Sequence, residues 1–313
     1  MFQLRPEISE VVGKSILITG VARSGTTIMG TLVHSLESIE LLFEPPLLYG
    51  LFPLLGEMDP DMWKFLYETY LLEDFLMDSL AGRRVNFNRN DDSAVQKVKS
   101  LQELDTRLDS RYRRLDLFRE ALNHRIAYKM PDMLPQLDVL ASYYPNMQVI
   151  IMFREPEAVV DSIMKKGWFS SNARTSDVIQ GPWLQLGPDV PFWVENTTEW
   201  QQASEIEKAY IYWIRQNEAL VSLDKSYVLQ NGIFESMDKG RYCVINYDDF
   251  VLHTEAEFQK VVDFLGAKPT SITSDLLKTV GYQQNGTIVL TLDKVSPALR
   301  ERVIKVLTAL GCL

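Results

Sequence analysis

The feature that most constrains this chain is the segment Ser15-Ile16-Leu17-Ile18-Thr19-Gly20-Val21-Ala22-Arg23-Ser24-Gly25-Thr26-Thr27. A short apolar run enters a turn that holds two glycines, and a helical pattern starts near Thr26. A strand that feeds a helix through such a turn is the first half of a βαβ unit, and it needs parallel partners reached by crossovers. The rest of the chain supplies them. Apolar runs at Leu41 to Phe43, Ile126 to Lys129, Gln148 to Phe153 and Tyr242 to Asn246 alternate with helical patterns and end in turn or polar residues. With Ser15 to Thr19 they make five expected strands of an α/β fold with a mostly parallel central sheet. Ligands of such sheets sit outside the carboxyl ends of the strands.

The spacing predicts one domain over residues 1–313, with a helical insertion at about 57–125 between the second and third strands. From Arg83 to Lys129 this region holds twelve Lys or Arg against seven Asp or Glu, inside a chain whose net charge is −10. It reads either as a solvated helix face or as an electropositive wall beside an anionic ligand. Gly181 to Trp200, punctuated by Pro182, Pro188 and Pro191, reads as a substrate lid or as a loop packed on the core. Thr254 with Glu257 forms a capping-box pattern and Gly266 a stop, while Ser296, Pro297 and Gly311 bracket a last helix. No apolar run approaches the roughly 18 residues that cross a bilayer, and Met1 to Lys14 has no signal-like apolar core. Two cysteines, Cys243 and Cys312, make neither a disulfide framework nor a zinc set. A cytoplasmic location is therefore expected. The acidic balance argues against a nucleic-acid partner, which needs clustered basic residues.

The first turn is an anion site by construction, because backbone N–H groups and a helix dipole converge there. Gly20-x4-Gly25 has the spacing of a phosphate-binding P-loop, but Thr26 stands where a nucleotide kinase carries Lys. The cation has moved into the turn as Arg23. A second constellation follows the fourth strand: Arg154 at its end, Pro156 opening a helix, and Ser162 two turns along it. A guanidinium and a hydroxyl so placed suit one phosphate.

Together these motifs resemble those of sulfotransferases that use 3′-phosphoadenosine 5′-phosphosulfate (PAPS). Arg23-Ser24-Gly25-Thr26-Thr27 matches the R-S-G-T-T that binds the 5′-phosphosulfate end in that family, and Arg154 with Ser162 matches its 3′-phosphate pair. Leu42-Phe43-Glu44-Pro45 resembles the L-F-E-P of carbohydrate sulfotransferases. Asn246-Tyr247-Asp248-Asp249-Phe250, followed by Phe264-Leu265-Gly266, resembles a further segment of the family. The resemblance implies a P-loop-type three-layer fold and sulfuryl transfer from PAPS to an acceptor hydroxyl, on a carbohydrate or on a small-molecule or lipid alcohol. Ile28 departs from the aromatic residue that often follows the two threonines, and Gln283 to Gly286 is only a faint counterpart of the family's later phosphate loop.

By analogy with phosphoryl transfer, the catalyst positions the groups and stabilises displaced charge. Arg23 and Lys129 are the expected stabilisers of the leaving phosphate oxygen, and Glu44, at the end of the second strand, is the expected general base, with His124 in reserve. Asp132 reads as a cap for the helix that follows it. No metal is expected. Two other readings stay open at this stage: a small-molecule kinase using ATP and Mg²⁺, and a nucleotide-binding protein without catalysis.

Overall fold

The computed structural model describes residues 5–170, 185–187, 190–191, 194–223, 241–281 and 292–313. Its centre is a sheet of β1 (Ile16–Gly20), β2 (Ile39–Phe43), β3 (Arg125–Lys129), β4 (Gln148–Phe153) and β7 (Tyr242–Asn246), ordered β2-β3-β1-β4-β7. Every neighbouring pair is parallel. A separate antiparallel ribbon joins β5 (Gln185–Gly187) to β6 (Val190–Pro191). All five expected strands are present, with β4 and β7 matching residue for residue. β2 starts two residues early, because Ile39 and Glu40 also pair with β3. A carboxylate in a buried strand had hidden that part of the apolar run.

Alternate strand residues feed two cores, which is why the fold has three layers. Ile16, Ile18, Ile150 and Met152 pack on α2 (Thr26–His34) and α13 (Thr254–Leu265) through Met29, Leu32, Phe258 and Val261. Leu17, Val149 and Ile151 face the other way. Their layer contains α1 (Pro6–Gly13), α8 (Leu137–Tyr143), α9 (Pro156–Lys166), α11 (Glu205–Ser222) and α15 (Pro297–Ala309), which contribute Val12, Leu140, Val159, Trp213 and Val303. Shorter helices α10 (Thr197–Gln202), α12 (Tyr247–Leu252) and α14 (Ser271–Thr279) complete this part of the chain.

Between β2 and β3 the chain is helical: α3 (Pro46–Leu51), α4 (Pro60–Thr69), a π-helical stretch at Tyr70–Met77, α5 (Asp78–Leu80), α6 (Leu101–Asp109) and α7 (Arg114–Ala121). Most of its basic side chains are occupied internally. Arg83 pairs with Asp78 at 3.0 Å, Arg113 with Asp116 at 3.2 Å and Arg114 with Glu73 at 2.5 Å. Lys99 and Arg107 are buried against Glu40, at 3.4 and 2.6 Å. Most cations of the segment are therefore neutralised within the chain rather than gathered into an electropositive wall, with Lys97 as an exception.

One local expectation needs correction. Thr254 does not cap α13: its residue is already helical, His253 occupies the N-cap position, and the Thr254 hydroxyl donates back to Val251 O at 3.4 Å. The reason is that α12 runs almost directly into α13, leaving no extended residue at Thr254 to act as a cap. Gly266 does end the helix, in the left-handed conformation. Of the proline-rich loop, Pro182, Trp183, Pro188, Phe192 and Trp193 lie outside the described residues, whereas Trp200 is buried edge-on against Phe169 at 5.4 Å. No described helix is long and apolar enough to cross a membrane.

Candidate active site

The chain winds from β1 to β2 and β3 on one side and to β4 and β7 on the other, so the crevice at the carboxyl ends of β1 and β4 is the topological switch point. Gly20 pairs with Met152, and the turn after β1 therefore emerges beside Arg154. Ser24 closes that turn: its N–H and its hydroxyl both donate to Val21 O, at 3.1 and 2.6 Å. Gly25 is the N-cap of α2 at φ +92°, and a Cβ there would run into the Tyr247 ring. The first helical hydrogen bond is Met29 N to Gly25 O at 3.2 Å, which leaves the N–H groups of Thr26, Thr27 and Ile28 directed at the turn.

The two phosphate motifs meet on Arg23. Its Nε donates to Ser162 Oγ at 3.0 Å, and its guanidinium lies 5.7 Å from the Trp168 ring centre. Arg154 donates through Nη1 to the Arg23 carbonyl at 3.0 Å and stacks 4.4 Å over Tyr247. Trp213 holds the Arg154 carbonyl at 3.0 Å. Arg154 Nε is buried and has no hydrogen-bond partner. Arg23, Gly25, Thr26, Thr27 and Arg154 line one cavity of about 510 Å³, and Ser24 and Ser162 are not among its lining residues.

The register of β2 with β3 brings Glu44 to Lys129, although neither residue is among those that line that cavity. Phe43 pairs with Lys129, so Glu44 follows directly beside it and donates its N–H to Lys129 O at 3.0 Å. Lys129 Nζ is ion-paired with Glu44 Oε1 and sits 4.1 Å from the Phe43 ring centre. Burial pulls the Lys129 ammonium below its ordinary range, and the Glu44 carboxylate opposes that pull. The Glu44 side chain is 40% exposed, and Lys129 is almost wholly enclosed.

Backbone strain marks the same place. Among the described residues the non-glycine positions with positive φ are Arg23 (73°), Ser38 (56°), Glu44 (42°) and Asp132 (70°). Three of them stand just beyond the carboxyl ends of β1, β2 and β3, where such strain is concentrated when a site demands it.

Sequence reasoning missed the support beneath the turn. Ala22 N–H is held by Tyr212 Oη at 2.9 Å and by Asp132 Oδ1 at 3.2 Å, and Tyr212 in turn donates to Asp132. Burial, with the Asp132 carboxylate adding to it, pushes the Tyr212 hydroxyl well up and keeps it a donor. Asp132 is thus not a helix cap, because its left-handed backbone turns the carboxylate back under the turn. Nothing in the spacing distinguishes Tyr212 from its neighbours on α11. Tyr247 lay inside a motif, but its packing on Gly25 and Arg154 follows only from the fold.

The histidines fall elsewhere. His124 immediately precedes β3, about 17 Å from Lys129 along that strand, at the opposite end of the sheet. It is therefore no reserve base. His34 is buried 3.5 Å from Glu40, and His253 adjoins α13. Gln283 to Gly286 lies outside the described residues.

A parallel three-layer α/β protein with a strained, cation-bearing turn at its switch point belongs to the class that holds anionic ligands over a helix amino terminus. The chain belongs to the sulfotransferase family, whose model matches residues 15–270. Among solved structures, it is similar to the sulfotransferase domain of the Synechococcus olefin synthase at 14% identity and a TM-score of 0.45, covering 96% of this chain and 94% of that one. It is also similar to a sulfotransferase from Mycobacterium avium, at 12% identity and a TM-score of 0.48, with 97% and 79% covered. The sulfotransferase domain of the curacin biosynthetic pathway gives 13% identity and a TM-score of 0.47, with 95% and 97% covered. No curated protein matches the chain.

Proposed function

We propose that this sulfotransferase takes its sulfuryl group from PAPS and delivers it in line to an acceptor hydroxyl, with Glu44 as general base. The observation that carries the reading is the junction at Arg23, which is hydrogen-bonded to both Ser162 and Arg154 and shares one cavity with Arg154 and the start of α2. The residues present fit the cofactor: an arginine with a buried, unpartnered Nε, a second arginine in the turn, and three N–H groups at the start of α2 form an anion cradle.

In this reading PAPS, when bound, supplies the activated sulfuryl group. Gly25, Thr26 and Thr27 receive the 5′ end through backbone N–H groups and hydroxyls, and Ser24 keeps the turn closed. Arg154 and Ser162 receive the 3′-phosphate, so Arg23 must exchange its hold on Ser162 for the ligand. Glu44 takes the acceptor proton, while Arg23 and Lys129 stabilise the negative charge that develops on the donor side. The acceptor hydroxyl belongs to a carbohydrate by the likeness of Leu42 to Pro45 to the carbohydrate-type motif, with a small-molecule or lipid alcohol as the other choice. We read residues 1–313 as one domain with 57–125 inserted in it, acting in the cytoplasm, where the free thiols of Cys243 and Cys312 stay reduced.

The test is thermal stabilisation of the purified protein by 3′-phosphoadenosine 5′-phosphate, beside ADP and ATP with Mg²⁺ at matched concentration. A ligand at 100 times its dissociation constant adds about 2.7 kcal/mol. The expected result is a shift that requires the 3′-phosphate. A preference for ATP with Mg²⁺ would overturn the reading in favour of a kinase.

A further inference from the structure

The cavity at the turn has a wall that no motif announced. Asp92 and Lys97, both from the segment between β2 and β3, line it together with Arg23, Thr27 and Arg154. Lys97 is held in place by its neighbours. Ala94, Val95, Val98 and Lys99 are buried around it, Val95 N–H is fixed to Asn86 O at 2.8 Å, and Lys99 is anchored to Ile39 O at 2.8 Å on the edge of β2. The loop before it is stiffened by side-chain turns, Asn88 N to Asn86 Oδ1 at 2.9 Å and Ser93 N to Asp91 Oδ1 at 2.8 Å. Lys97 itself is exposed, and its Nζ donates to a neutral acceptor, Asp91 O, at 2.8 Å. It makes no ion pair among the described residues, unlike most basic groups of this segment. An ammonium has three donors, so two remain for a ligand.

We propose that Lys97 is a cofactor ligand supplied by the insertion, which grips the 5′-phosphate side of the nucleotide in the cavity that Thr26 and Thr27 also line. The assignment rests on the PAPS reading. It gives the ~70-residue helical segment a part in binding, since the cation it presents closes the cradle that β1 and β4 open. The charge count agrees: among the described residues the cavity lining carries Arg23, Arg154 and Lys97 against one carboxylate, Asp92, in a chain of net charge −10.

Calorimetric titration of the full chain with adenosine 5′-phosphate and with 3′-phosphoadenosine 5′-phosphate tests it. Lys97→Met, which keeps the aliphatic stem, is expected to weaken both ligands by the same factor, about tenfold. Lys97→Arg is expected to restore most of the loss, with the melting temperature of the free protein unchanged in both variants. Arg154→Ala, by contrast, should weaken only the ligand with the 3′-phosphate. Unchanged affinities in Lys97→Met, or a loss confined to the 3′-phosphorylated ligand, would overturn the role given to Lys97 while leaving the cofactor reading intact. Failure of the unmodified protein to bind either nucleotide would instead overturn the cofactor reading and this assignment with it.

Discussion

Glu44 is ion-paired to a lysine that is nearly enclosed, yet its own side chain keeps two-fifths of its surface open. That asymmetry suits a base: Lys129 fixes one carboxylate oxygen, and the other is left for an incoming hydroxyl. Glu44→Gln preserves shape and an acceptor for Lys129 while removing the basic oxygen. Turnover is expected to fall by about 10² or more with cofactor affinity retained. Steady-state kinetics beside a titration with 3′-phosphoadenosine 5′-phosphate checks this, and near-normal turnover would move the role to another group. At this scale, the places of Arg23, Glu44, Arg154 and Ser162 in the fold were legible because each sits at a fixed offset from an apolar run. Tyr212 was not, since its link to Ala22 spans 190 positions and depends on how α11 docks.

At the scale of elements, the start of α2 is the critical joint. Gly25 combines a φ of +92° with direct packing on Tyr247, which itself supports Arg154. An added methyl would strain the backbone and push the ring off the guanidinium. Gly25→Ala is therefore expected to cost about 2 kcal/mol of stability and to lose at least tenfold in binding of 3′-phosphoadenosine 5′-phosphate. Urea unfolding and calorimetry on the same preparation separate the two effects, and a variant with unchanged binding would show that the turn tolerates a side chain. The strands were readable from alternation and length. The failed cap at Thr254 shows the limit of a local pattern: a capping box needs an extended residue at its start, and α12 had already set that residue's backbone.

Across the whole molecule, Glu40 fastens the segment between β2 and β3 to the sheet. Burial by itself would raise its carboxyl, but Lys99 and the hydrogen bonds from His34 and Arg107 outweigh that and hold it well below the usual carboxylate range. A depressed folded-state value means the stabilisation is complete above the unfolded carboxyl's value, about 4.3, and is lost as pH falls further toward the folded one. Glu40→Gln leaves Lys99 buried without its counter-charge and Arg107 with only the part-exposed Glu103, and is expected to cost about 3 kcal/mol at pH 7. The gap between the unmodified protein and the variant should close as pH drops below about 4. Denaturant midpoints measured across that range check it, and a gap independent of pH would assign the loss to packing alone.

The order of elements, the parallel sheet, the glycine-bearing turn between β1 and α2 and the residues at the strand ends were determined by the sequence alone, because short-range periodicity and glycine spacing carry them directly. The tertiary structure decided what those residues touch. It brought Ser162 to Arg23, put Tyr212 under Ala22, neutralised most of the basic segment and left Lys97 facing the cavity. Those outcomes depend on strand order and helix docking, which join positions far apart in the chain, and no local pattern encodes a distance of that kind.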